Sequence, residues 1–386
     1  MNITDIREKS ILISRYEDPV LPTGGLTTSL VAVTTDVVRN GKPVIGYGYS
    51  SVGRFAQGGL IRERFAARLL RAPKGSLADE EGTNLDPFLA WNTMMNGEKP
   101  GGHGERCVAV GTLDMAIWDA AAKIADLPLY DFLAQRLASA PQRRVRVYAG
   151  GGYRYPCNDL VRLSDELRRC VDLGFTHVKI KVGGAGLDVD CMRIEAAASR
   201  LSGTDCLAVD AMNLYDQNTA LQAAAKLAPY KLWWFEDICD PLDFATHARV
   251  AKVYASSVAA GEALFSQAEA RLLVQYGGLR SERDVLVFDP VHSYGVPGYL
   301  RILETMTANG WPRRAFWPHG GHLFALHLVA ALDLGGAEIS PFAFSPFRGL
   351  PNGSIIENGR LTVPQVAGIG FEIHAEAWDV FRRVFM

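Results

Sequence analysis

Six ionisable residues recur at a nearly constant interval through the second half of the chain, each closing a short apolar run. Lys181, Asp210, Glu236, Glu262, Asp289 and His319 follow one another at steps of 29, 26, 26, 27 and 30 residues. Helical patterning follows each run. Eight strand–helix units of this length occupy about 250 residues when they close into a barrel. The spacing therefore predicts a (β/α)8 barrel of the α/β class, with its polar residues at consecutive strand ends. Lys179 and Lys181 sit two apart in the β-branched run 178–182, so a strand turns both ammonium groups to one side.

In this reading strand one covers 144–149 and strand two carries the lysines. The others cover 206–210, 232–236, 258–262, 285–289, 315–318 and 338–340. Helices are expected over 160–173, from about 218, over 270–276, after Pro297 and over 322–334. Asp240-Pro241 has the chemistry of an N-cap and first helical position. Ser266 and Glu269 make a capping box, and Gly277 ends the helix that follows.

Residues 1–140 lack this rhythm and read as an α+β capping domain. A Thr- and Val-rich strand over 26–37, a turn at 39–42 and a returning strand over 44–49 precede a helix over 61–70. Gly46, Gly48, Gly53, Gly58 and Gly59 suggest a mobile loop, and they do not fit G-x-G-x-x-G. After the Gly-rich stretch 99–106, Leu113, Ile117, Ala120, Ala121 and Ile124 form one face of an amphipathic helix. The barrel domain spans 141–346. The segment 347–386 carries an Asn358-Gly359 hairpin and is expected to return to the first domain and complete its sheet.

Composition removes several classes of function. A net charge of −2 over 386 residues argues against a nucleic-acid footprint. No apolar run is long enough to span a bilayer, and Asp5, Arg7, Glu8 and Lys9 leave no signal-peptide core. Six cysteines without a C-x-x-C pair fit a reduced, cytoplasmic enzyme.

Singly, Asp210, Glu236 and Glu262 each fit a helix cap or a loop acid. At even 26-residue steps they would stand on neighbouring strands at the C-terminal face of the barrel. Three converging carboxylates need a cation to stay charged, and an all-oxygen set suits Mg²⁺. A lone K-x-K is often a solvated strand edge. Beside three acids, Lys181 reads as a base with its pKa lowered by desolvation and a neighbouring cation, and Lys179 as its helper. Asp289 and His319 form a potential acid–base dyad. His319 and His322 could begin a zinc site but lack a third ligand in register. Base, metal and acid together suit proton abstraction α to a carboxylate.

These residues resemble the enolase superfamily, specifically its mandelate racemase subgroup. The resemblance covers nearly the whole chain and includes the helix phrase 112–119 (TLDMAIWD). Within the subgroup, 57–65 (QGGLIRERF), 96–106 (NGEKPGGHGER) and 317–322 (WPHGGH) are most similar to D-tartrate dehydratases. The resemblance implies an enolase-like modified barrel with Mg²⁺ held by Asp210, Glu236 and Glu262. Lys181 would remove the α-proton, and His319, paired with Asp289, would protonate the departing β-hydroxyl. Lys99, Tyr153 and Lys179 would contact the diacid substrate, a small hydroxy acid. A homo-oligomer follows by analogy. The chain departs from the pattern at Met212, Ala263, Asp18 and Val52, where the subgroup or its tartrate dehydratases carry Asn, and at Asp237, usually Glu. The expected function is a Mg²⁺-dependent dehydratase of a hydroxy diacid or acid sugar. The other readings are a racemase or epimerase on the same site, or a metal- or acid-binding barrel with little turnover. Loops near 15–25 and 45–60 are expected to set specificity.

Overall fold

The computed structural model describes residues 1–16 and 25–386. Asp18 and most of the 15–25 loop fall outside them. The chain opens with a three-stranded antiparallel sheet, β1 (Ile3–Leu12), β2 (Thr27–Arg39) and β3 (Lys42–Tyr49), in that order. Sequence reading anticipated β2 and β3 but not β1. That strand carries Asp5, Arg7, Glu8 and Lys9, which suit a solvated sheet edge and obscure its alternation.

Gly46 and Gly48 lie within β3 rather than in a mobile loop. A Cβ at Gly46 would strike the Ala116 carbonyl, and one at Gly48 the Thr112 carbonyl. Both positions let the helix Glu105–Ile124 lie directly on the strand. That helix is buried almost all round, not amphipathic as its spacing suggested. Its opposite side meets the barrel, where a Cβ at Gly111 would strike the Val291 carbonyl. Asp114 accepts from Val296 N (2.7 Å), and Asp119 accepts from Tyr47 N (2.9 Å) and Ile369 N (2.7 Å). The 112–119 phrase is thus a buried three-way joint.

The barrel strands are β4 (Arg144–Gly150), β5 (Val178–Lys181), β6 (Leu207–Asp210), β7 (Phe235–Glu236), β8 (Val258–Ala260) and β9 (Val285–Leu286), followed by β10 (Ala337–Ile339). β4 to β9 are parallel neighbours in chain order, and β10 returns to pair with β4. The expected seventh strand forms only one bridge, Leu286 with Phe316. Trp317 N and His319 N donate to Leu286 O and Val287 O (2.8 and 3.3 Å), and Phe316 O accepts from Gly335 N (2.9 Å). Pro318 offers no N–H, so this segment closes the ring without a regular ladder.

Two further expectations are corrected. Asp240-Pro241 makes a turn, with Asp240 Oδ1 accepting from Leu242 N (2.9 Å), and the helix Phe244–Val253 is capped instead by Asp243. The hairpin β11 (Ile356–Glu357) and β12 (Arg360–Thr362) pairs antiparallel with the start of β4, extending the barrel sheet rather than the first. The rest of the segment does reach the first sheet: Phe347 stacks on Tyr49 with ring centres 4.0 Å apart, and from the last helix, Ala375–Phe385, Trp378 and Phe381 meet Tyr47 at 5.4 and 5.0 Å. All six cysteines are free thiols. No helix among the described residues is long and apolar enough to cross a membrane.

Candidate active site

Strand register builds the first wall of the site. Lys181 on β5 pairs with Asp210 on β6, and Asp210 with Glu236 on β7, so the three stand in one row. Glu262 follows just beyond β8. One carboxylate oxygen from each of Asp210, Glu236 and Glu262 lies within 4.8 Å of the other two. Burial dominates Glu236 and pushes its pKa up to about 7, with Lys179 opposing and the other acids reinforcing. Asp210 moves down despite burial, because Lys181, Lys179 and the Met212 N–H all favour its anion. Glu262 Oε2 is buried and lacks a hydrogen-bond partner among the described residues.

That orphaned oxygen, beside two buried carboxylates, tests the donor set for a cation. The atoms are all hard oxygens, converge closely and are desolvated. They fit Mg²⁺ better than a softer metal.

The two lysines behave differently from the expectation of a lowered pKa. Lys181 Nζ donates to Asp210 Oδ2, and Lys179 Nζ to Glu236 Oε1. Lys179 also lies 3.5 Å from Glu338 and 3.8 Å from Asp210. Burial opposes charge on both ammonium groups, but the facing carboxylates outweigh it and raise both pKa values. A cation on Asp210 would compete for the carboxylate that holds the Lys181 proton. Lys179 is fully buried beneath the cavity and is absent from its walls. It clamps carboxylates there and is not presented to a substrate.

The second wall is a histidine–aspartate network. His319 Nδ1 bonds to Asp289 Oδ2 (3.0 Å), and its Nε2 lies 3.3 Å from Glu262 Oε2. Burial would lower the His319 pKa, but Glu262, Asp289 and Glu338 outweigh it and raise it to about 9. Burial would raise Asp289, yet His292, His319 and His322 hold it well below the usual carboxylate range. Asp289 also accepts from Val291 N and from the Ser51 hydroxyl, both at 2.7 Å. Ser51 comes from the first domain, so that domain completes the dyad. His322 has a different task from zinc ligation, since its Nδ1 accepts from Ala325 N (3.1 Å) and caps the helix Leu323–Leu332.

Lys181, Glu262 and His319 open onto one cavity of about 240 Å³. Tyr153, Met212 and Ala263 also line it, with Arg15, Val52 and Arg54 contributed by the first domain. Lys99 is not brought there. It lines a separate cavity with Glu98, His103 and Arg106, because Arg106 draws the Gly-rich stretch inward by bonding to the carbonyls of Lys99 and Gly101.

Two residues lining the cavity and one buried behind it were not singled out from sequence. His292 lies three residues after Asp289, a spacing that could have flagged it. Asn213 reaches the cavity beside Met212, and its Nδ2 donates to Asp237 (3.2 Å). Glu338, the acid inside the apolar run 337–339, accepts from Gly320 N (3.2 Å) beneath His319. It breaks the regular interval, and so escaped notice.

The barrel and its carboxylate row define a class, and comparison with known proteins agrees. Residues 162–377, more than half the chain, match the family model "Enolase C-terminal domain-like". The chain belongs to that family, within the mandelate racemase subgroup of the enolase superfamily. It is 26% identical to an arabinonate dehydratase of Saccharolobus solfataricus over 98% of this chain and 99% of that one. It is 28% identical to an L-talarate/galactarate dehydratase of Salmonella typhimurium over 78% and 72% of the two chains. Among solved structures, the L-talarate dehydratase of Polaromonas sp. JS666, complexed with Mg and L-glucarate, superposes with a TM-score of 0.70. It is 25% identical, with 96% and 94% of the chains covered.

Proposed function

We propose that this protein is a Mg²⁺-dependent hydro-lyase acting on a hydroxy acid of the acid-sugar class. The observation that carries the reading is the single cavity reached by Lys181 from one wall and His319 from the other, with Glu262 between them. The dehydratases to which the chain is similar act on acids of this kind.

Asp210, Glu236 and Glu262 would hold the cation, which would offset negative charge developing on the substrate carboxylate. Lys181 takes the proton from the carbon α to that carboxylate. It must first lose its own proton, and weakening of its bond to Asp210 favours this. His319, in its protonated form, delivers a proton to the β-hydroxyl, which leaves as water. Asp289 holds the imidazole through Nδ1, leaving Nε2 for transfer. The enol so formed ketonises to a 2-keto acid. Tyr153 covers the Lys181 side, its ring centre 5.4 Å from Nζ.

Opposed acid and base groups also suit racemisation, in which the proton returns to carbon. Incubation in D₂O with Mg²⁺ and a panel of mono- and diacid sugars separates the two. The panel includes tartrate, because of the tartrate-dehydratase-like segments. Keto-acid formation that EDTA abolishes and Mg²⁺ restores is expected. Deuterium exchange without loss of water would replace the dehydratase reading with a racemase. Binding without exchange or elimination across the panel would leave a barrel that only holds its ligand.

A further inference from the structure

Most charges around the cavity already have partners. Lys181 is paired with Asp210, and His319 with Asp289 and Glu262. Arg15 and Arg54 are the exceptions. Both line the cavity, and neither makes an ion pair or hydrogen bond among the described residues. Each is instead laid against an aromatic ring. The Arg15 guanidinium lies 5.9 Å from the centre of the Tyr153 ring, and that of Arg54 lies 4.5 Å from the centre of the Phe265 ring. A ring face attracts a guanidinium charge without using its N–H groups, which stay available to a carboxylate.

Position adds to this. The carboxylate row stands on strand ends of the barrel, whereas Arg15 and Arg54 belong to the first domain and meet the same cavity from that side. The two guanidiniums also flank it. The Tyr153 ring under Arg15 faces Lys181, and the Phe265 ring under Arg54 lies 6.0 Å from His292, itself 5.5 Å from His319. An acid with one carboxylate at the cation site would project its far end toward them. A neutral hydroxymethyl terminus would leave two partly desolvated cations without a counter-charge among the described residues. A second carboxylate would supply one.

We propose that Arg15 and Arg54 form a second carboxylate-binding subsite, so that the substrate is a hydroxy diacid and not a monoacid. The proposal rests on the reading of this cavity as the place where a hydroxy acid is bound and dehydrated. It adds that selection between diacids and monoacids is made by first-domain cations and not by the barrel.

Acids matched in carbon number and configuration provide the test: galactarate against galactonate, and tartrate against threonate, each with Mg²⁺. For the diacid of the pair that reacts, kcat/KM should exceed that of its monoacid by at least about 100-fold. Arg15→Met and Arg54→Met should each shrink this ratio about tenfold or more, chiefly through the diacid KM, and Arg54→Lys should retain part of it. Circular dichroism and Tm confirm that the variants fold. A second readout needs no chemistry: calorimetric binding of malate against 2-hydroxybutanoate, with Mg²⁺ present. Equal use of diacid and monoacid, or Met variants that weaken both alike, would overturn the subsite. Malate preference that the Met variants abolish, without turnover of any acid, would uphold the subsite while removing the dehydratase reading.

Discussion

The two ends of the barrel interior are made by the same chain segments, yet one is aromatic and the other is charged. Side chains on a strand repeat every second residue, so four of the charged groups have an apolar residue two positions earlier in the layer below. Ala208 lies under Asp210, Trp234 under Glu236, Val287 under Asp289 and Trp317 under His319. The lower layer is a cluster of Tyr148, Trp234 and Trp317 with small aliphatic residues, closed from outside by Trp233. Trp233 lies 3.8 Å from Trp234 and 5.0 Å from Trp317 between ring centres. The layers are stitched together where Trp234 Nε1 donates to Glu236 Oε2 (2.6 Å). One layer supplies burial, and the other holds charges that only mutual pairing or a cation makes tolerable. Substitutions in the two layers should therefore fail in different ways.

The sharpest separation should come from the charged layer. Lys181→Ala and His319→Asn should each lower kcat roughly 10³-fold, the scale of general acid or base catalysis, while the unfolding midpoint stays near that of the parent. Comparable loss of stability and activity would mean that these groups act through the fold. The aromatic layer should show the reverse. Trp317→Ala should cost about 3–5 kcal/mol in urea unfolding, the range for deleting a buried aromatic side chain. The variant that remains folded should keep a KM close to the parent's. A large rise in KM would show that the floor shapes the pocket and does not merely support it.

Sequence made the barrel legible because every unit must cross the same layer and return, which fixes the interval between strand ends. It also made the row of acids legible, since the interval places Asp210, Glu236 and Glu262 on adjacent strands. Strand seven was harder, because Pro318 removes a donor and the segment closes the ring with scattered bonds. The pairing of the lysines was not legible, for a specific reason. Register sets Lys181 directly opposite Asp210, so the attraction of that anion outweighs desolvation. Ser51, Arg15 and Arg54 were legible only as members of the loops near 15–25 and 45–60, not as individual site residues. They reach the cavity across a contact between the first domain and the barrel, for which sequence spacing offers no ruler.

Two histidines eight residues apart extend the comparison to pH. His327, on the helix outside the barrel, bonds through Nε2 to Ile369 O (2.9 Å), while its Nδ1 accepts from Tyr130 N (3.1 Å). A second ring proton would break the bond to Tyr130. Burial lowers its pKa to about 4, with the Ile369 carbonyl opposing. The unfolded chain, near 6.5, then binds more protons than the folded one between these values. The contribution of His327 is complete above pH 6.5 and is lost as pH falls to 4, a decrease of about 3 kcal/mol. His319 has the opposite sign: its raised value gives a contribution complete below pH 6.5 and lost as pH rises through about 9. Urea unfolding of His327→Gln should show a flatter acid limb than the parent. An unaltered limb would assign the acid sensitivity to the charged layer instead.

The smallest expected effect tests whether the first domain tunes that charged layer or only covers it. Ser51 has φ near 61°, in the left-handed region, and its hydroxyl donates 2.7 Å to the same Asp289 oxygen that receives His319 Nδ1. The hydroxyl and the imidazole therefore share one acceptor. Ser51→Ala removes a donor that stabilises the carboxylate and leaves its charge more available to His319. The imidazole should then be held more firmly in its protonated form, and the alkaline limb of the pH–rate profile should move upward by a few tenths of a unit. Asp289 would also lose one of its fixed partners, so kcat should fall about tenfold through poorer orientation of the ring. Ser51→Thr, which keeps the hydroxyl, should restore the limb to its parental position if the backbone accepts a β-branched residue there. A tenfold loss with no movement of the limb would make Ser51 a packing residue. Movement of the limb with rescue by threonine would make it a positioning residue acting through Asp289.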